Sequence, residues 1–382
     1  MVAGHLARAA LRVALLEEHP QVGLPNHCSG LISPRTLAVA GLRDERLVER
    51  RYRQARVWGP DGRTLWLRSP RVQAVTVDRT RFDRKLAERA VAAGVDLRLG
   101  TQATAMERVP GGVRVFAHGP DGPLELEAPL LIGADGANSR VAHWLARRPR
   151  GEVVPVIKAD LTFRPDGPDD IGIFVGRDVA PGWFGWAIPL GDGRVRVGLG
   201  ASHGLRAYYT AFLDRLRAQF GDFTLDLELA ASLPLGPVRD FVADNIMLVG
   251  AAARQTKPTT GGGVYFGLRA AELAAATALQ ALRLGDCSSG FLAGYERAWQ
   301  LGPGWELRVN RWLRWFYRHL SDAGLARLMW AGNTPWAQHL IGRLGDVDFP
   351  SWLFVSSAET ACREQTQVET TDYDCLARRE VR

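Results

Sequence analysis

Lysine is almost missing from this 382-residue chain, in which only Lys85, Lys158 and Lys257 occur. The net charge is nonetheless +7, so arginine carries nearly all of the positive charge. That usage fits either a GC-rich coding sequence or a basic face for anionic membranes and phosphates. No recognised nucleic-acid motif accompanies it, which argues against a nucleic-acid partner. Cysteine is scarce too. Cys28, Cys287, Cys362 and Cys375 form no C-x-x-C pair and no cluster with histidine, so no metal site is expected. A disulfide framework is not expected at this size. No apolar run approaches the roughly 18 residues of a membrane span. The opening MVAGHLARAALRVALLEE is interrupted by His5, Arg8 and Arg12 and lacks a small-residue cleavage site. It is therefore not read as a signal peptide, and a cytoplasmic location is expected. Internal repeats are absent.

What is present is ordinary for a globular protein of two or three packed units, with 46% apolar and 23% charged residues. Val2 to Ala10 reads as a helix and Arg12 to Glu17 as a buried strand. Short alternating segments follow from Tyr52 to Val77, then a helix from Arg81 to Ala93 and strands from Asp96 to Val115. Lys158 to Leu199 is strand-rich, and Leu205 to Phe220 is helical. Asn245 to Val249 reads as a short buried strand. A glycine-rich loop then feeds an alanine-rich helix from Val264 to about Leu282. Helices continue to about Leu344, and the polar tail from Ser356 is expected to be disordered. Strands and helices alternate near the ends, with strand-rich stretches between. That order predicts a nucleotide-binding domain interrupted by an antiparallel sheet.

Glu17 closes its strand. In a Rossmann unit an acid at that position accepts hydrogen bonds from ribose hydroxyls; otherwise it is a surface acid after a strand. Three later segments carry more. The first is Asp78 to Asp83, DRTRFD. The second, Leu130 to Leu145, runs LLIGADGANSRVAHWL. The third, Ile246 to Ala275, runs IMLVGAAARQTKPTTGGGVYFGLRAAELAA. Together they resemble the group-A flavoprotein hydroxylase superfamily. The third segment, with the loop VGLPNHCSGLISPRT from Val22 to Thr36, resembles the geranylgeranyl reductase family of FAD-dependent oxidoreductases. The resemblance runs from Met1 to about Pro350.

The Lys257–Gly263 loop suits an anionic, flat ligand on its own chemistry. Unpaired N–H groups and the dipole of the following helix favour negative charge, and three glycines let backbone approach a flat ring. The resemblance implies an FAD contact at Arg79, backbone contact with adenine at Ala103 and an acid near the pyrophosphate at Asp135. Asp135 could equally hydrogen-bond its own turn. It further implies cofactor contacts at Glu17, Cys28, Ser29, Gly250, Ala251, Pro258, Gly261, Gly262, Gly263 and Val264. Cys28 is the single candidate catalytic side chain, against the alternative of a small buried residue. Trp183 and Trp186, in PGWFGWAIP, are either walls of a prenyl pocket or ordinary sheet packing.

The implied fold is α/β. A Rossmann-like FAD-binding domain would comprise 1–51, 75–147 and 240–298, with an inserted antiparallel substrate domain at 52–74 and 148–239. A helical region at 299–355 and a tail at 356–382 complete it. The implied activity is reduction of isolated double bonds in a prenyl lipid, with NAD(P)H or ferredoxin as reductant. A flavin monooxygenase acting on an aromatic or polyketide substrate, and a non-catalytic remnant without flavin, remain the alternatives. The pattern is broken twice. The first strand with its G-x-G-x-x-G loop does not precede Met1, so about 15–20 further residues are expected in the natural product. Ala251 stands where the family usually has an Asp that binds a ribityl hydroxyl. Finally, RVNRWLRWFYRHL, from Arg308 to Leu320, puts Val309, Trp312, Leu313, Phe316 and Leu320 on one helical face and Arg311, Arg314 and Arg318 opposite. Either that helix lies peripherally on an anionic membrane, or its apolar face packs inward and its arginines are solvated.

Overall fold

Alternation of apolar residues builds the largest sheet. The computed structural model describes residues 1–42, 44–145, 151–164, 167–236 and 239–353. Its seven-stranded sheet runs, edge to edge, Phe223–Pro234, Val153–Phe163, Arg194–Gly200, Gly185–Gly191, Ile171–Phe174, Gln54–Trp58 and Thr64–Arg68. Neighbours are antiparallel except Ile171–Phe174 beside Gln54–Trp58. Side chains on successive residues point to opposite faces. One face buries Ile157, Ala159, Leu161, Val195, Val197 and Leu199 against Tyr209, Phe212 and Leu216 of the helix Leu205–Phe220. That leaves Lys158, Asp160 and Arg196 on the other face.

Parallel pairs form the nucleotide-type region. Ala14–Leu16 lies beside Asp96–Arg98, and Leu131–Gly133 beside Ile246–Leu248. The two pairs belong to separate sheets. The pairing of Ala14–Leu16 extends outward, because Asp96 N donates to Val13 O and Glu17 N to Arg98 O. The preceding helix covers Val2–Arg8 and stops short of Ala10, whose φ of +64° is left-handed. The alanine-rich helix Val264–Leu284 buries Ala270, Ala271, Ala274, Ala278 and Ala281 in the core that also holds Ile246, Met247 and Leu248. Small side chains there allow close packing of helix on strand.

The C-terminal helices are Ser289–Leu301, Pro303–His319, Asp322–Gly332 and Pro335–Leu344. The second of them overturns one expectation. Its buried side consists of Pro303, Gly304, Glu306, Leu307, Asn310 and Arg314, while Trp312, Trp315 and Phe316 are 57%, 56% and 40% exposed. Arg314 is not solvated. Its Nε donates to Glu152 at 2.8 Å, and its guanidinium stacks 4.5 Å from the Trp183 ring centroid. A carboxylate and an indole face together make that interior acceptable to a guanidinium. The alternative in which the apolar face packs inward fails at Trp312 and Phe316, which are exposed, while Arg314 lies on the buried side. Among the described residues no helix is long and apolar enough to cross a membrane. The tail at 356–382 lies outside the described residues.

Candidate active site

Two loops reach the free face of the seven-stranded sheet. The first carries Cys28. Gly30 in it has φ +73°, and a Cβ there would lie 2.5 Å from Val77 O, so only glycine fits. Val77 N donates back to Gly30 O at 2.9 Å. This couples the loop to the strand Ala74–Val77 and to the helix Arg79–Ala92, which Asp78 caps through Thr80 N and Arg81 N. Arg79 opens that helix. It pairs with Asp83 at 2.8 Å and lies against Cys28. Burial alone would lower its pKa, but the sulfur of Cys28 and the carboxylate of Asp83 outweigh burial and raise it. It stays a cation.

From the sheet side, Lys158 Nζ donates to Asn26 O at 2.6 Å and to Cys28 O at 3.3 Å. Arg196 Nη1 donates to Ser29 O at 3.0 Å, while its Nε and Nη2 grip Asp160 at 2.7 and 2.9 Å. Burial, then repulsion from Arg196, lowers the pKa of Lys158. Burial would raise that of Asp160, but the hydrogen bonds and charge of Arg196 win and lower it. The sequence reading missed all three residues. The one signal was the rarity of lysine.

The second loop, Lys257–Gly263, precedes the helix Val264–Leu284, whose N-cap Gly263 supplies no side-chain cap. Gly261 has φ +70°, and a Cβ there would meet Leu233 Cδ1 at 2.6 Å and Trp183 Cζ2 at 3.5 Å. The loop therefore rests on the aromatic part of the sheet. Lys257 does not face outward with it. It is buried with Asp348 at 3.1 Å and also donates to Val347 O. Thr259 Oγ1 donates to Asn310, and Asn310 Nδ2 donates to Glu306 at 2.9 Å. Ser351 Oγ donates to Glu306, and Arg35 pairs with Asp346 at 3.4 Å. The segment Asp346–Ser351 thus backs the glycine loop.

Trp183 is fully buried behind the loop, stacked on Phe184 at 5.1 Å, and its carbonyl accepts from Tyr317. Trp186 is partly buried. It stands opposite Gly198, which in turn stands opposite Lys158, and the missing side chain of Gly198 makes room for its indole. Other sequence-derived residues sit further out. Glu17 accepts from His19 N and pairs with its ring. Ala103 O accepts from Arg140 at 3.3 Å. Asp135 is fully engaged with its own turn, accepting from Ser139 Oγ, Arg140 N and Val141 N. Ser29 Oγ accepts from Leu31 N. Gly250, at φ +69°, has open space where a Cβ would be, and Ala251 beside it is half-buried without an acceptor side chain. Pro258 is buried beneath the loop.

An uncapped N-terminus on a long helix, reached through three glycines and facing an aromatic sheet, fits the flavin end of FAD. The fold and site define an FAD-dependent oxidoreductase. Residues 1–175 match the family model for an FAD binding domain. A digeranylgeranylglycerophospholipid reductase of Methanothrix thermoacetophila is 30% identical over 346 residues, covering 86% of this chain and 87% of that protein. A second reductase of that name, from Methanothermobacter thermautotrophicus, is 30% identical over 85% of this chain and 86% of its own. The chain belongs to the geranylgeranyl reductase family. Its fold matches a geranylgeranyl bacteriochlorophyll reductase-like protein of Thermoplasma acidophilum with a TM-score of 0.82, at 21% identity over 96% of this chain and 95% of the other. The flavin-dependent halogenase CmlS shares the fold at a TM-score of 0.67, with 21% identity over 97% of this chain and 75% of that one.

Proposed function

We propose that this chain reduces isolated carbon–carbon double bonds in the prenyl chains of a geranylgeranyl glycerolipid, with NAD(P)H or a ferredoxin as the electron source. The convergence of the Cys28 loop and the Lys257–Gly263 loop on the face bearing Trp186 supports this reading most directly. Bound FAD supplies hydride when reduced. Backbone N–H groups of Gly263 and Val264 would hold its flavin edge, with Gly261 and Gly262, whose own N–H groups bond within the loop, shaping the approach, and Cys28 and Ser29 would border the reacting side. Arg79, Glu17, Ala103, Gly250, Ala251 and Pro258 would line the remainder, with Asp135 holding the turn beside it. Trp186, with Phe184 at 6.0 Å, offers the prenyl chain an apolar wall, backed by Trp183. Cys28 would hold the proton that completes the alkane.

The test is anaerobic incubation of FAD-loaded protein, reduced with dithionite, with a digeranylgeranyl glycerophospholipid. Mass spectrometry should show two hydrogens gained per double bond. Unchanged lipid, or an oxygenated product when air is admitted, overturns the reading. Ala251→Asp should tighten FAD binding by about 1.5–3 kcal/mol through a restored charged hydrogen bond, read by fluorescence titration. Unaltered affinity would mean that the ribityl hydroxyl has another acceptor.

Lipid access would come through the outward side of the helix Pro303–His319, which meets the membrane peripherally with Trp312, Trp315 and Phe316. Exposed Arg308 and Arg311 supply the positive charge. Co-sedimentation with anionic liposomes should fall in Trp312→Ser/Phe316→Ser and in Arg308→Glu/Arg311→Glu, with FAD content unchanged. A parent protein that ignores such liposomes at low salt has no membrane face here.

A further inference from the structure

Lys158 is an expensive residue to bury. It is 2% exposed, and no carboxylate of the described residues comes within ion-pair distance of it. Methionine would fill similar space without a charge to desolvate. Its ammonium instead points two of its three donors at carbonyl oxygens, Asn26 O and Cys28 O. Register explains the arrangement. Asp160 stands directly opposite Arg196 across the antiparallel pair, and Lys158, two residues earlier on the same face, stands opposite Gly198. The Asp160–Arg196 pair leaves one guanidinium nitrogen over, and that nitrogen takes Ser29 O. Three of the four carbonyls from Asn26 to Ser29 are thereby turned onto the sheet by two cations.

We infer that Lys158 and Arg196 are positioning residues for Cys28. With the carbonyls of Asn26, Cys28 and Ser29 held on the sheet side, the loop cannot rotate its peptides. The Cys28 sulfur is thereby held where it accepts from Gly30 N at 3.4 Å, lies against Arg79 and feels the charges of Lys158 and Arg196 as well. A lysine suits this task better than an arginine. Its compact ammonium can reach two carbonyls around a bend, whereas a planar fork would demand coplanar acceptors. In a chain where arginine replaces lysine nearly everywhere, its retention here follows from that geometry. The catalytic meaning of a fixed Cys28 rests on the reductase reading above, whereas the clamp itself does not.

Lys158→Met and Lys158→Gln test it on the full-length, FAD-loaded protein. Iodoacetamide labelling of Cys28, followed at its own peptide by mass spectrometry, should quicken by about tenfold in Lys158→Met, the size expected for one lost charged hydrogen bond. Lys158→Gln, which keeps N–H donors, should fall between parent and Lys158→Met. Amide exchange should rise in peptides spanning 25–31 and stay at parental rates in the helix Leu205–Phe220. With the prenyl lipid, kcat should fall about tenfold with KM unchanged. Parental labelling and exchange in both variants overturn the inference, as does exchange that rises equally across the whole chain, which marks a merely structural lysine. If Lys158→Met does not fold, the same two readouts on Lys158→Gln decide. Quickened labelling in a protein that reduces no lipid supports the clamp and sinks the reductase reading alone.

Discussion

The Cys28 loop and the Lys257–Gly263 loop lie on one sheet face but are held by opposite devices. The first is held from outside, by cations of the sheet that spend their hydrogen bonds on its backbone. The second carries its own cation and turns it inward, to a carboxylate distant in sequence. A backbone clamp fixes a loop while leaving its side chains free to face a ligand. An inward ion pair makes the loop depend on the docking of Asp346–Ser351. The first loop should therefore respond locally to mutation, and the second should carry its damage into the whole fold.

The largest effect should come from Lys257→Met. Asp348 would stay buried, with Oδ2 already lacking a partner and Oδ1 now losing its own. Breaking such a pair from one side costs about 3–5 kcal/mol, and Lys257→Met/Asp348→Leu should recover most of it. Urea unfolding measures both. A loss under about 1 kcal/mol in the single variant would mean that the segment Asp346–Ser351 is not what holds the glycine loop.

Glycine replacement sharpens the contrast at smaller size. Gly30 and Gly261 share left-handed φ values of +73° and +70°, so the backbone cost of alanine is alike at about 1–2 kcal/mol. Their surroundings differ. At Gly30 the new methyl meets backbone, Val77 O, whereas at Gly261 it meets the mobile end of Leu233. Gly30→Ala should cost more than Gly261→Ala by about 1 kcal/mol or more, the penalty of overpacking a contact that cannot yield. Equal midpoints in urea would show that the Cys28 loop is free to move off the strand.

Which of these features could be read in advance follows from their range along the chain. The helix Leu205–Phe220 was legible to both ends, and the strand at Asn245 to Val249 to within a residue, because their signals are local: periodicity, and glycine or asparagine at a turn. Cys28 and the three glycines stood out for the same reason. Lys158, Asp160 and Arg196 did not, since each is one polar residue in an alternating strand and acquires meaning only when register puts it opposite its partner. Glu306, Lys257 and Asp348 depend on the C-terminal segment returning to the glycine loop. Arg314 was misread because periodicity assigns charge to solvent unless a partner such as Glu152 is known. In each case the missing information was a contact between distant segments.

The smallest effect concerns pH and belongs to the support of the glycine loop. Glu306 is buried, and burial raises its pKa above the ordinary 4.5, although Ser351 donates to it and Lys257 attracts its charge; Asp346 adds to the rise. Asn310 Nδ2 also faces it. At pH below the ordinary value the proton is held in both folded and unfolded chains, and stability is unaffected by it. As pH climbs, the unfolded chain releases this proton first, so unfolding becomes easier until the folded carboxyl has ionised as well. Glutamine keeps the shape and hydrogen-bonding atoms of the protonated acid and has no such titration. Glu272 and Glu296, also raised by burial, titrate identically in both proteins and cancel from the difference. The melting temperature of Glu306→Gln minus that of the parent should therefore be near zero below pH 4.5 and grow as pH climbs above it, until the folded carboxyl has ionised as well. A difference that stays flat across that range would mean that Glu306 ionises in the fold as readily as in the open chain, and that the Ser351 contact, not burial, sets its charge.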